Sequence, residues 1–205
     1  MSVAPILSPA GGLALVVLGG LPGVGKSTVA RALLAQWRAV YLRIDTIEQA
    51  LRDSMALQGD VGPAGYVVAY ALARTQLAQG LPVLVDCVNP LAVTRHAWHA
   101  VARDAQAPCL DVEIICSDIH AHRQRVDTRP TDVPGLVPPR WEAVLQHDYA
   151  PWPEGGHNRV EGMKSSADAS RMVIDTAAHT AEQAAAKVLA ALRALTVRAA
   201  GRGRD

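Results

Sequence analysis

Leu13-Ala14-Leu15-Val16-Val17-Leu18, then Gly19, then Gly20-Leu21-Pro22-Gly23-Val24-Gly25-Lys26-Ser27-Thr28, then Val29-Ala30-Arg31-Ala32-Leu33-Leu34: an apolar β-type run, a glycine loop and a helix-prone stretch follow one another. The loop satisfies G-x-x-x-x-G-K-[ST] at each fixed position. Glycines let backbone N–H groups close around phosphate oxygens, and the helix N-terminus behind them adds its positive dipole end. The spacing predicts that Gly20 to Thr28 cradles a nucleoside triphosphate. Lys26 reaches its β and γ phosphates, and the Ser27 hydroxyl takes a place on Mg²⁺.

Outward from this loop the chain alternates strands and helices. Short apolar strands are expected at 40–44, 82–86, 110–116 and 171–175, with helices at about 47–57, 66–79, 91–105, 118–128, 141–147 and 181–195. Gly80 stands where a helix-ending glycine belongs, and Asp118 where an N-cap belongs. The pattern predicts an α/β fold: a three-layer sandwich with a five-stranded parallel sheet and helices on both faces. Residues 1–12 read as a flexible lead-in, 129–139 as a proline-rich segment, about 154–170 as a mobile excursion and 199–205 as a flexible tail. In such sheets ligands sit at the carboxyl ends of the strands. Gly20, Asp45 and Asp86 all fall there.

Asp45 directly follows a strand and is the candidate general base, because phosphoryl transfer to a hydroxyl needs a carboxylate within hydrogen-bond reach of the acceptor. Helical spacing places Glu48 and Arg52 on its side, as candidate acceptor-binding residues. Capping the helix is the plainer role for Asp45, and one residue can fill both. Asp86 ends an apolar strand and is the candidate metal carboxylate, with Ser27 the second metal residue. Asn89 is a weaker acceptor-side candidate, since Asn89-Pro90 is equally a turn signal. Arg125 and Arg129, four apart, are candidates for charge on the transferring phosphoryl group. Arg123 is assigned to the neighbourhood of the nucleotide base. The pairs His96/His99 and His120/His122 have ligand spacing, but neither shows a third ligand in the sequence.

Composition bounds the rest. Twenty basic and nineteen acidic residues leave a net charge of +1 in 205 residues, which gives no electrostatic footprint for nucleic acid or an anionic membrane. Phe is absent, so the core is expected to be aliphatic. Three scattered cysteines read as buried free thiols of a reducing compartment. Without a basic N-terminal start or an apolar run of about 20 residues, a soluble cytoplasmic protein is expected, as monomer or homodimer, with no membrane partner.

With these residues assembled, the chain resembles the small P-loop kinases, a group that includes adenylylsulfate kinases, polynucleotide 5′-kinases and zeta-toxin-like kinases. The resemblance runs from about Leu13 to Leu195. It is most specific at Gly20 to Thr28, and is carried further by Leu42-Arg43-Ile44-Asp45, Val83-Leu84-Val85-Asp86 and His122-Arg123-Gln124-Arg125. It implies a P-loop NTPase fold over residues 13–198 with a small lid at about 123–147. It also implies ATP and Mg²⁺ as cofactors, Asp45 as acceptor-side base, and Arg123, Arg125 and Arg129 as arginines before and within the lid. Adenylylsulfate and polynucleotide kinases place an arginine three residues after that aspartate; here the position is Glu48, with Arg52 a turn further on. A carboxylate there repels a phosphate or sulfate, and the phenylalanine clamp of adenylylsulfate kinases has no counterpart. The expectation is therefore a phosphotransferase acting on a hydroxyl of a neutral or amine-bearing small molecule. A polynucleotide 5′-hydroxyl or adenylylsulfate-type kinase is the alternative, and an ATP-gated binding or regulatory protein a second one.

Overall fold

The apolar run before the glycine loop becomes the central strand, β1 (Leu15–Gly19), and it is buried along its whole length, as a strand covered on both faces must be. The computed structural model describes residues 12–55, 59–152 and 169–202. In it β1 pairs with β3 (Val83–Asp86) on one side and β4 (Cys109–Ile115) on the other. Outside these lie β2 (Val40–Arg43), beside β3, and β5 (Ala169–Asp175), beside β4. The result is a five-stranded sheet of order β2-β3-β1-β4-β5, parallel in all of its pairings. The α/β sandwich expected from the sequence is the fold observed, and the central position of β1 sets the glycine loop at the middle of the sheet's carboxyl edge.

Strand residues alternate between two cores. Val16, Leu18, Leu84 and Leu110 face α1 (Lys26–Leu34) and α7 (Ala181–Arg202), while Leu15, Val17, Val83 and Val85 face α3 (Ala64–Ala78) and α4 (Ala92–Asp104). With no Phe available, one fully buried tryptophan serves each core: Trp37 on the α1 side and Trp98 on the α4 side. At about 25 cal/mol per Å² over roughly 200 Å², each indole contributes at most about 5 kcal/mol of burial. The core is therefore aliphatic, with a tryptophan at the heart of each half.

Several boundaries differ from the sequence expectation. α2 (Ile44–Asp53) begins at Ile44, before the expected start at Ile47, so Asp45 lies inside its first turn, where a carboxylate is favoured by the helix dipole. β5 begins at Ala169 because it pairs with the full length of β4. α7 continues to Arg202 through a stretch without proline, and so takes in the start of the expected tail at 199–205. The expected excursion at about 154–170 and lead-in at 1–12 fall almost wholly outside the described residues. α5 (Ile119–Thr128) opens as expected on Asp118, whose carboxylate accepts from the amides of His120 and Ala121. The proline-rich 129–139 joins it to the short α6 (Trp141–Leu145). Among the described residues, no helix is long and apolar enough to cross a membrane.

Candidate active site

The loop between β1 and α1 turns on glycines at Gly20, Gly23 and Gly25, with φ of 136°, 86° and 102°. Two of these positions also have no room for a side chain. A Cβ on Gly20 would run into the Ile114 carbonyl, and one on Gly23 into a methyl of Val126. The loop therefore packs against β4 and α5 as tightly as backbone permits. Its next bonds inside α1 start at Thr28 N–H and Val29 N–H, both to the Gly25 carbonyl. The amides of Gly25, Lys26 and Ser27 consequently have no backbone acceptor among the described residues, which is the donor arrangement of an anion nest at a helix N-terminus.

Side chains from three other elements hold the loop. His122 of α5, buried and edge-on to Trp141 at 5.0 Å, donates from Nε2 to the Pro22 carbonyl at 2.8 Å. Thr176, just after β5, donates to the Val24 carbonyl at 2.7 Å. Arg125 in turn grips Thr176, through its hydroxyl at 2.8 Å and its carbonyl at 3.2 Å. Lys26 donates to the Gly20 and Leu21 carbonyls at 2.7 and 2.9 Å. Burial pushes its ammonium below the ordinary lysine range, against the opposing pull of Asp86 and Asp45.

Opposite the loop stand the acids. Asp86 is 3% exposed and accepts from the Tyr41 hydroxyl at 2.8 Å. Asp45 accepts from Arg43 at 3.3 Å, and the same guanidinium donates to Asp132 of the proline-rich segment at 2.7 Å. Burial alone would lower the pKa of Arg43, but the hydrogen bond to Asp132 and the carboxylates of Asp45 and Asp86 outweigh it, so the net shift is upward. Lys26, Ser27, Asp45, Asp86, Arg125 and Arg129 all line one cleft of about 440 Å³, roofed by 129–139. Six residues singled out in the sequence thus share one cleft, which Arg43 and Asp132 also line.

A sequence family described as an AAA domain matches residues 15–146. The chain belongs to that family. No curated protein sequence matches it. Among solved structures, this AAA-domain chain is similar to a sugar kinase from Janibacter sp. (TM-score 0.60, 15% identity, 89% of this chain and 98% of that one). It is similar also to an APS kinase from Mycobacterium tuberculosis in complex with AMPPNP and APS (TM-score 0.58, 20% identity, 88% and 98%). A third is a gluconokinase from Sinorhizobium meliloti (TM-score 0.57, 18% identity, 92% and 97%). At these identities the likeness is one of fold alone.

Four sequence candidates are not brought to the cleft of this AAA domain. Arg123 is exposed and pairs with Asp127 one helical turn on, at 3.5 Å. Glu48 lies against Gly65 at the start of α3 and pairs with Arg52 at 3.5 Å. Burial raises the Glu48 carboxyl above its ordinary value, an effect the Arg52 charge only partly offsets. Asn89 is fully buried at φ 50°, where its backbone N–H donates to Tyr66 and its Oδ1 accepts from Thr94; it works as the turn its Asn-Pro sequence signals. The sequence reading missed Arg43, Asp132, Tyr41 and Thr176. For Arg43 and Tyr41 a signal existed, since both share a strand face with each other and point toward the end where Asp86 pairs in register with Arg43. Asp132 and Thr176 carried none.

Proposed function

We propose that this chain is an ATP- and Mg²⁺-dependent phosphotransferase that moves the γ-phosphoryl group of ATP to a hydroxyl of a small, neutral or amine-bearing molecule. One observation carries the reading: the phosphate-loop lysine and serine, two carboxylates and two arginines converge on a single cleft. The unpaired amides at Gly25 to Ser27 suit a triphosphate. The Ser27 hydroxyl and the Asp86 carboxylate are hard oxygen donors of the kind Mg²⁺ accepts. When bound there, Mg²⁺ supplies charge neutralisation at the phosphates.

The chain's own groups divide the work. Loop amides and Lys26 hold and orient the phosphates. Asp45 takes the acceptor proton as the new O–P bond forms and the bond to the departing ADP oxygen breaks. Arg43, 3.3 Å away, keeps the Asp45 carboxylate oriented. Arg125 and Arg129 balance charge on the transferring group, and the 129–139 segment over the cleft limits water, the competing acceptor. The single net positive charge favours a small-molecule acceptor over a nucleic acid end, and the chain has no Phe to build the adenylylsulfate clamp.

The test is an ATP-consumption screen across sugars, amino alcohols, nucleosides, adenylylsulfate and oligonucleotides, with mass spectrometry of products. A phosphorylated neutral or amine-bearing product, lost in Asp45→Asn, is expected. Phosphorylation confined to oligonucleotides or adenylylsulfate would overturn the acceptor assignment. Tight nucleotide binding with no product from any acceptor would replace the enzyme by a nucleotide-gated regulator.

A further inference from the structure

On the opposite face of the sheet from α1, helix α4 carries His96 and His99 one turn apart, and both are buried, at 5% and 4% exposure. Strand alternation puts Cys109 and Asp111 of β4 on one face, and Cys109 packs in the core that α4 covers. His99 Nε2 meets Asp111 Oδ2 at 2.5 Å. One ligand atom each from His99, Cys109 and Asp111 all lie within 4.8 Å of one another, and all three residues are buried. These are the further ligands that the histidine pair lacks in sequence.

Two polar atoms in the same place have no hydrogen-bond partner: Asp111 Oδ1 and His96 Nε2. Asp111 is 2% exposed, so a carboxylate oxygen is left without a donor inside an apolar core, a costly arrangement that native folds rarely keep without a purpose. The His96 ring stands 6.0 Å from that of His99.

The geometry points to a zinc-class metal site formed by His99, Cys109 and Asp111, with the unpartnered His96 nitrogen one helical turn from His99 as the candidate fourth donor. Ligand chemistry selects the ion. A thiolate and an imidazole suit zinc and its neighbours rather than Mg²⁺ or Ca²⁺. Charge agrees as well: a dication against one thiolate and one carboxylate, with neutral imidazole, leaves the filled site neutral in its apolar surroundings. The Cys109 thiol proton leaves to solvent on binding, and the His99 ring proton is carried on Nδ1 while Nε2 coordinates. A tetrahedral zinc sets its ligand atoms about 3.5 Å apart, between the 2.5 Å of the His99–Asp111 contact and the 4.8 Å outer spacing, so side-chain rotations suffice.

The site is separate from the phosphate cleft. Asp111 pairs in register with Val17, in the middle of β1, whereas the glycine loop begins past its end. None of its residues lines the cleft. Its role is to clip α4 to β4, and its test is indifferent to phosphotransfer.

The full chain, stripped with a chelator, is titrated with Co²⁺ as a spectroscopic stand-in for zinc. One equivalent should give a thiolate-to-cobalt charge-transfer band and ligand-field bands of tetrahedral intensity, both displaced by Zn²⁺. Zinc should also raise the thermal midpoint of the stripped protein. Cys109→Ser should lose the charge-transfer band while Cys116→Ser, at the partly exposed thiol, keeps it. Asp111→Asn and His99→Gln should weaken metal affinity at least tenfold. Because the wild-type titration needs no variant to fold, its failure is decisive. Weak octahedral spectra, a band that follows Cys116, or a midpoint unmoved by zinc overturns the site and leaves His99–Asp111 as a plain buried hydrogen bond.

Discussion

The guanidinium of Arg43 and the carboxylate of Asp132 meet at 2.7 Å, tying the proline-rich segment to the end of β2, and the same guanidinium reaches Asp45 at 3.3 Å. One arginine thus connects the roof of the cleft to the proposed base. The pair is unequal: Arg43 is 13% exposed and Asp132 49%, so solvent screens the contact and its worth is at the modest end for ion pairs.

A first prediction follows from the titration of Asp132. The hydrogen bond from Arg43 holds its carboxyl below the usual range. A group depressed on folding stabilises the folded state above its unfolded pKa of about 3.9, and that stability is lost as pH falls through the lower folded value. Pepsin cleavage within 129–139 should therefore rise only below about pH 4. Asp132→Ala should show raised cleavage of the segment already at pH 7, by a neutral protease. Equal cleavage of Asp132→Ala and wild type at pH 7 would mean that the tether does not hold the segment.

The chemistry is tested by separating binding from turnover. Asp45→Asn keeps size and hydrogen-bonding shape but cannot take a proton, so nucleotide affinity should stay within a few-fold while kcat falls by ~10²–10⁴-fold. Lys26→Ala removes the ammonium proposed to hold the phosphates and should weaken nucleotide binding itself. Isothermal titration with a non-hydrolysable ATP analogue, set beside turnover on the acceptor found by screening, checks both. Unchanged kcat in Asp45→Asn would move the base elsewhere.

How much of this was legible in the sequence follows from distance along the chain. The phosphate loop reads directly because its donors are contiguous and their spacing is fixed by the backbone. Asp86 reads nearly as well, because it ends an apolar run that forms a buried strand, whereas Asp45 follows a short, partly buried edge strand and falls inside the first turn of α2. Side chains that meet across the fold do not read. His122 and Pro22 are 100 residues apart, Thr176 and Val24 are 152 apart, and Arg43 and Asp132 are 89 apart. Each pairing depends on strand order and on the path of a proline-rich segment, which local patterns leave open. The nearness of His99 to Cys109 and Asp111 was hidden for the same reason, because these two lie on a strand whose placement under α4 is a property of the sheet. Arg123, assigned from the sequence to the neighbourhood of the nucleotide base, stands exposed outside the cleft and pairs with Asp127.

Packing of the loop gives a sharper prediction. Gly23 adopts φ 86°, and a Cβ there would collide with Val126. Gly23→Ala must distort the loop or displace α5, at a backbone cost of about 1–3 kcal/mol. The thermal midpoint should fall by about 2–4 °C per kcal/mol for a chain of this length, and nucleotide affinity should drop with it. Val126→Ala in the Gly23→Ala background should recover part of the midpoint, since it clears the collision. A double variant no more stable than Gly23→Ala alone would place the strain in the backbone angle instead.

The last prediction concerns Arg95, a residue that no motif marks. It is fully buried, and its guanidinium donates to the carbonyls of Asn89, Pro90, Ala150 and Pro151 at 2.7–3.2 Å while stacking 3.9 Å over the Trp152 ring. Four carbonyl dipoles and an indole face thus stand in for a carboxylate partner, and burial lowers its pKa from the ordinary arginine value. These contacts pin the chain after α6 to the turn after β3, beneath the Asp86 end of the cleft. Arg95→Lys keeps the charge but presents a point donor without the planar fork, so several carbonyls lose their partner. With each unsatisfied buried group costing about 1–3 kcal/mol, the lysine variant should lose roughly 2–4 kcal/mol in urea unfolding, at an unchanged m-value. Arg95→Met should lose a similar amount by a different route, shedding the buried charge but taking the guanidinium from the Asn89, Ala150 and Pro151 carbonyls, while Pro90 keeps the Ala150 N–H. A lysine variant with a wild-type midpoint would show that charge alone, rather than the fork, holds this corner.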